Sequence, residues 1–317
     1  MEQHKHSTKV AGIDVAKSKL DVAAHGPGEV VQFANGGADF ERLGHWLKAR
    51  GIGRVGLEAT GGYERALVSW LQAHDFEVVV HQPLEVRLFA RLKRRRAKND
   101  RIDAQIIAAA TAQVDTVRAA ADPGLRELAE RLTAYEQAAD QLARLRTCLE
   151  QVTLEDLRVS YEAQILQALA WKRERLADVV RRIEADPDLV RRYRLLRSLP
   201  GAGPVVAASL VIRMPELGAM QRGQASSLLG VAPFDRDTGL FKGQRHIAGG
   251  RARPRRMVFI AALAASRCDP GFRALAQRLT AAGKKPKLVL VAVMRKLIEA
   301  ANLVLARQTP WVPAPSA

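Results

Sequence analysis

Three strand-like runs crowd into the start of the chain, at residues 10–15, 20–24 and 30–33, before any helical pattern begins. Two more, at 54–58 and 76–81, come only after helical stretches at 39–50 and 63–74, and a further helical pattern fills 101–112. Strands that follow one another closely pair as an antiparallel meander, whereas strands separated by a helix pair in parallel through a crossover. Few folds accept that order, and it predicts a ribonuclease-H-like mixed sheet with helices. A dinucleotide-binding domain needs a glycine-rich first turn, and Asp14-Val15-Ala16-Lys17 stands there instead.

Acidic residues break this apolar pattern at telling places. Asp14 interrupts Val10-Ala11-Gly12-Ile13-Asp14-Val15, and Glu58 ends Val55-Gly56-Leu57-Glu58 just before Ala59-Thr60-Gly61-Gly62. Asp100 and Asp103, three apart at the start of a helical pattern, project from one helix face. Taken singly, each has an ordinary explanation: a turn for Asp14, a lysine partner for Glu58, an N-cap and first-turn acid for the pair. A carboxylate at a buried strand is costly unless its charge is compensated, and a divalent cation is a usual partner. Four acids drawn from three elements therefore point to a two-ion Mg²⁺ site, with Mn²⁺ able to substitute, of the kind that carries phosphodiester chemistry at an ion spacing of about 4 Å.

The charge balance agrees. Fifty Lys and Arg face 33 Asp and Glu, a net charge of +17, and such an excess suits a polyanion. A basic run of Arg87, Arg91, Lys93, Arg94, Arg95, Arg96, Lys98 and Arg101 leads directly into the acidic pair, where it would bring a phosphate backbone to the metals. Few aromatics interleave it, so base stacking is not its main mode. Cys148 and Cys268 have no metal-ligand spacing and read as reduced thiols of a cytoplasmic protein. No apolar stretch reaches the roughly 18 residues of a membrane span, and Met1-Glu2-Gln3-His4-Lys5-His6 lacks a signal-peptide core.

Three segments are expected: a catalytic domain over 1–120, a helical arm over 121–188 and a mainly helical domain over 189–317. Asp122-Pro123-Gly124 opens the arm. Its first stripe is Leu125, Leu128, Leu132, Tyr135, Leu142, Leu145, Leu149 and Val152, and its second is Leu166, Leu169, Leu176, Val180 and Ile183. Both have coiled-coil-like spacing, and either an internal hairpin or a dimerising seam satisfies them. Beyond the arm, Leu199-Pro200-Gly201-Ala202-Gly203-Pro204 lies between helical patterns, as in a helix-hairpin-helix element. Gly201 and Gly203 could there expose backbone N–H groups to a phosphate, although a plain helical turn fits equally well. The stretch 233–251 is rich in glycine and arginine, and Arg236, Lys242, Arg245, Arg251 and Arg253 are candidate phosphate ligands. Thr238, in Asp-Thr-Gly, puts a hydroxyl inside that basic loop; an ordinary turn threonine is the plainer reading.

These motifs, in this order, resemble a known family. GIDVAKSKLDV, GLEATGGYE and KNDRIDAQIIA are similar to the N-terminal motifs of the DEDD insertion-sequence transposases with a RuvC-like domain. This is the family numbered one hundred and ten, related to the Piv and MooV invertases. LLRSLPGAGPVVAASL, LLGVAPFDRDTGLFKGQRHIAGGRARPRRMVF and GKKPKLVLVAVMRKL resemble its transposase domain. The resemblance implies that Asp14, Glu58, Asp100 and Asp103 are the metal ligands. It implies a homo-oligomer acting on DNA, guided by a non-coding RNA encoded in its own element. It also implies a serine nucleophile where this chain has Thr238. Threonine keeps the hydroxyl but adds a β-methyl that restricts χ1, so a working threonine nucleophile and an impaired enzyme both remain open. A junction-resolving nuclease using metal-activated water is the alternative enzyme. A non-catalytic nucleic-acid-binding descendant is the alternative of another class.

Overall fold

A computed structural model of the chain describes residues 9–93, 100–115, 122–234 and 246–313, with residues 100–102 and 234 described in backbone only. It divides into two compact units, Met1–Ala120 and Ala121–Ala317.

The first unit holds strands β1 (Lys9–Val15), β2 (Lys19–Ala24), β3 (Val31–Ala34), β4 (Ile52–Glu58) and β5 (Glu77–His81). Helices α1 (Gly37–Ala49), α2 (Arg65–Ala73), α3 (Pro83–Leu92) and α4 (Asp100–Thr111) accompany them. The sheet order is β3-β2-β1-β4-β5. Strands β1, β2 and β3 pair antiparallel, while β4 runs parallel to both β1 and β5. The expected mixed sheet is present, because no helix separates the first three strands and a helix precedes each of the last two.

Alternation sorts the strand residues onto two faces. Ala11, Ile13, Val15, Leu20, Val22, Val55 and Leu57 form a core with Phe40, Leu43 and Leu47 of α1 and with Leu67 and Leu71 of α2. The opposite face is covered by α4, and there the sheet carries glycine. A Cβ on Gly12 would lie 2.2 Å from the Ala108 amide nitrogen, and one on Gly56 would lie 1.8 Å from the Thr111 hydroxyl. Gly12 and Gly56 are direct partners across β1 and β4, so together they form a side-chain-free seat for the helix.

The second unit is helical: α5 (Pro123–Gln151), α6 (Glu155–Glu184), α7 (Pro187–Arg197), α8 (Pro204–Arg213), α9 (Gln224–Leu229), α10 (Ala252–Cys268), α11 (Pro270–Ala281) and α12 (Pro286–Arg307). A two-stranded ribbon, β6 (Pro233–Phe234) with β7 (His246–Ile247), completes it. Several starts follow from local chemistry. Asp122, Asp186 and Asp269 each accept a backbone N–H at a helix N-terminus, and each precedes a proline whose missing N–H costs nothing at that position.

Helices α5 and α6 fold back on each other as an intrachain antiparallel hairpin. Arg131–Asp178 at 2.9 Å and Arg182–Glu127 at 3.1 Å cross it. Of the second expected stripe, Ile183 is buried, Leu176 and Val180 pack against the core, and Leu166 departs. Ala168, Val179 and Ile183 are buried on α6, whereas Leu166 is 68% exposed. The base of the hairpin shares its core with the following helices, since Leu128, Leu132, Tyr135, Val179 and Ile183 pack with residues of α7, α8, α10 and α12. The arm and the last third thus form one body. Helix α8 is apolar all round because it lies at the centre of that body, with Val206–Ile212 buried on every side. No helix among the described residues is long and apolar enough to cross a membrane.

Candidate active site

The register of the sheet brings four polar residues into one row. Asp21 of β2 is the cross-strand partner of Asp14 on β1. Glu58 is one step beyond the Ile13–Leu57 pair on β4, and it is partnered by His81 on β5. Asp14 shares a strand face with Gly12, and Glu58 shares one with Gly56, so all four belong to the face that α4 covers. The direction of α4 is set by its contacts. Ala104 and Ala108 lie over Gly12, Thr111 over Gly56, and the Val114 carbonyl just beyond accepts from Arg54 at 2.6 Å. The helix therefore runs toward the N-terminal ends of β1 and β4. Its first turn, with Asp100 and Asp103, stands toward the opposite ends, where Asp14 and Glu58 are.

The donor set is all carboxylate, which suits a hard cation such as Mg²⁺ or Mn²⁺. Asp14, Glu58 and Asp103 share one face and one end of the unit, and in that respect they fit a divalent ion. Among the described residues no group of three or more His, Cys, Asp or Glu side chains is close enough to grip an ion, and the Asp100 side chain is outside that set.

Two carboxylates beyond the four candidates belong to this region, and both stand inside the motifs GIDVAKSKLDV and GLEATGGYE. Asp21 is 6% exposed, accepts from the Gln32 amide at 3.0 Å and pairs with Lys19 at 3.1 Å. Its sequence signals are its place in GIDVAKSKLDV and the alternation of Lys19-Leu20-Asp21-Val22. Glu64 staples the loop that leaves Glu58. One of its oxygens accepts from the Thr60 amide at 3.1 Å, the Thr60 hydroxyl at 2.9 Å and the Gly62 amide at 2.9 Å. Burial pushes the Glu64 carboxyl upward, but the hydrogen bonds outweigh it and hold the group below the usual carboxylate value. Gly61 and Gly62, at φ of 77° and 129°, permit the turn that this staple closes. A cleft of about 1100 Å³ opens at the other end of the sheet, lined by Lys9, His25, Arg50 and Arg54, away from the acids.

The remaining candidates are scattered. Arg94, Arg95, Arg96, Lys98, Arg236, Thr238, Lys242 and Arg245 lie outside the described residues. Arg251 pairs with Glu216 and also donates to the Arg213 carbonyl at 2.6 Å. Arg253 donates to Glu136 at 2.6 Å and to Thr133 at 3.0 Å. Both guanidinium groups, expected on phosphate, are engaged by their own chain. Gly201, at φ 76°, is pressed on α10, where a Cβ would meet the Ala261 carbonyl at 2.2 Å, while Gly203 faces open space at the start of α8. Close approach also explains Gly230 and Gly250, which touch backbone to backbone. Ser226 is 1% exposed and donates to Glu299 at 2.7 Å, so its hydroxyl is committed.

Comparison with known proteins adds the following. Residues 11–155 match a transposase family model of the DEDD, IS110 type, and residues 193–277 match the transposase model of the IS116/IS110/IS902 family. The chain is 26% identical over 317 residues to a pilin gene-inverting protein of Moraxella bovis, covering 95% of this chain and 96% of that one. It is similar to the same extent to the pilin gene-inverting protein of Moraxella lacunata.

Proposed function

As a member of the IS116/IS110/IS902 transposase family, this chain is a DNA transposase or recombinase, and we propose that it cuts and rejoins the ends of its own mobile element through a DEDD carboxylate site and a separate hydroxyl nucleophile. The observation that carries the reading is the placement of Asp14 and Glu58 on neighbouring strands beneath the helix that begins with Asp100 and Asp103. Together with the sheet order, it supports a ribonuclease-H-like, RuvC-like first unit.

In this reading Asp14, Glu58, Asp100 and Asp103 hold Mg²⁺ or Mn²⁺. Bound ions of this kind supply activation of an attacking oxygen and stabilisation of a leaving one. Arg94, Arg95, Arg96 and Lys98 steer the DNA backbone to the acids, and Arg236, Lys242 and Arg245, close to Thr238 in sequence, hold further phosphates. The Thr238 oxygen attacks a phosphodiester. Its bond to phosphorus forms, the bond to the 3′ oxygen breaks, and the hydroxyl proton leaves to solvent or a nearby base. A 5′-phosphothreonyl link then holds the strand until an incoming 3′ hydroxyl displaces threonine and restores the phosphodiester. An element-encoded RNA chooses the sites, the protein acts as a homo-oligomer, and its compartment is the bacterial cytoplasm. The threonine in place of serine favours one second reading, a resolvase that uses water and forms no covalent link.

Asp14→Asn and Glu58→Gln test the metal reading. Each should abolish strand cleavage in Mg²⁺ while leaving DNA and RNA affinity within about threefold, since each removes a ligand and adds no repulsion toward phosphate. Full cleavage by both variants would sink the assignment and leave a binding protein.

A further inference from the structure

We propose that His81 and Thr111 are positioning residues for the cleavage site, a polar clasp that sets where α4, and with it Asp100 and Asp103, lies relative to Glu58. The inference rests on the reading of those acids as the metal-holding set.

The glycine seat explains the need. Gly12 and Gly56 let the backbone of α4 approach the sheet, but a floor without side chains interlocks poorly and does little to fix the helix's rotation or slide. A polar contact on that floor comes from Thr111, the last residue of α4, which is fully buried. Its hydroxyl donates to the Ile107 carbonyl at 2.7 Å. With its proton so used, it accepts from His81 Nε2 at 2.8 Å, which assigns the ring proton to that nitrogen. His81 is the register partner of Glu58, and its carbonyl accepts from the Ala59 amide at 3.0 Å. The clasp therefore joins the far end of α4 to the strand pair that ends in Glu58. His81 Nδ1 faces Glu85 at 4.0 Å, and Glu85 is itself fixed by the Gln82 amide at 3.0 Å. Burial lowers the His81 pKa and Glu85 only partly opposes it, so the imidazole is neutral and both its nitrogens face protein groups.

Leverage gives the clasp its effect. Eight residues separate Thr111 from Asp103, about 12 Å along a helix. A swing of roughly 10° about Thr111 would move Asp103 by about 2 Å, several times the ~0.5 Å within which a site must be held. Loss of such outer supports typically costs ~10–100-fold in metal affinity or activity.

The test uses the full chain and Mn²⁺ as probe, with free Mn²⁺ followed by electron paramagnetic resonance in the absence of DNA, and cleavage measured separately against Mn²⁺ concentration. Thr111→Val, nearly equal in volume, and His81→Phe should each raise the Mn²⁺ needed for half-saturation by about 10-fold or more. Thr111→Ser keeps the hydroxyl and should return to within about twofold of the parent. A merely structural role would shift thermal unfolding and leave Mn²⁺ binding by the folded fraction unchanged. Folded Thr111→Val with parental Mn²⁺ binding overturns the clasp, as does Thr111→Ser failing as badly as valine. Should Thr111→Val not fold, His81→Gln, which keeps an N–H donor, must outperform His81→Phe or the inference is lost. Glu58→Gln in the same assay separates the two ideas: if it weakens Mn²⁺ binding and the clasp variants do not, only the clasp fails. If Glu58→Gln also binds as the parent does, the metal reading falls and the clasp falls with it.

Discussion

At the scale of single residues, the decisive atom is the hydroxyl of Thr238. A covalent mechanism requires it, so Thr238→Ala and Thr238→Val should both eliminate a protein–DNA adduct on denaturing gels. Thr238→Ser removes only the crowding methyl and should retain or raise recombination. A water-using resolvase tolerates all three changes, and recombination by Thr238→Val at the parental rate would reduce Thr238 to a turn residue. Glu64 makes a different kind of claim. Its lowered pKa means that its stabilisation is complete above the ordinary carboxylate value of 4.5 and is lost as pH falls through the lower folded value. Glu64→Ala should therefore cost about 1–2 kcal/mol at neutral pH, a modest figure because the group is partly solvated. In urea unfolding that difference should shrink as pH falls below 4.5. A gap of constant size from neutral to acid would show that the carboxylate charge is not what holds the Ala59–Gly62 turn.

Elements show which parts of the molecule are written locally. The strands and helices of the first unit follow from period-two and period-3.6 apolar patterns, and their order alone dictates a mixed sheet. Asp14, Glu58, Asp100 and Asp103 were conspicuous in the sequence for the same reason, since each breaks or abuts such a pattern. Asp21, His81 and Thr111 were not, because their roles depend on strand register and on which face α4 covers, which are relations between distant segments. Spacing in the arm could not separate a hairpin from a dimer seam, as both bury the same stripe. Arg251 and Arg253 read as phosphate ligands in the sequence, and composition does not reveal that Glu216 and Glu136 stand beside them. Glycines divide in the same way, and two in one turn make a clean contrast. Gly201→Ala forces a Cβ at positive φ into the Ala261 carbonyl and should destabilise the second unit by about 3 kcal/mol or more. Gly203→Ala meets open space at an ordinary φ and should change stability by less than ~0.5 kcal/mol. Equal melting temperatures for the two variants would contradict the seat of this turn on α10.

At the scale of the whole molecule, assembly is the property that the hairpin leaves exposed. Leu132 and Leu142 are buried within it, so charges there would damage the fold before they reported on association. Val159 and Leu166, a heptad apart on α6, are 58% and 68% exposed and provide the cleaner probe. Val159→Asp with Leu166→Asp should lower the mass seen by light scattering without changing the unfolding midpoint; an unchanged mass would remove this face from any subunit interface. The position of α4 also has a consequence in time. Asp14 and Glu58 belong to strands made early in synthesis, while Asp100 and Asp103 ride on the last helix of the first unit, which can seat on Gly12 and Gly56 only after those strands have paired. Under the proposed chemistry, a chain still on the ribosome carries half of its acids and no complete site. A product that stalls before this helix emerges lacks half of the proposed acids, and one that stalls before Thr238 still lacks the proposed nucleophile, so under that chemistry cleavage waits until both segments have been translated.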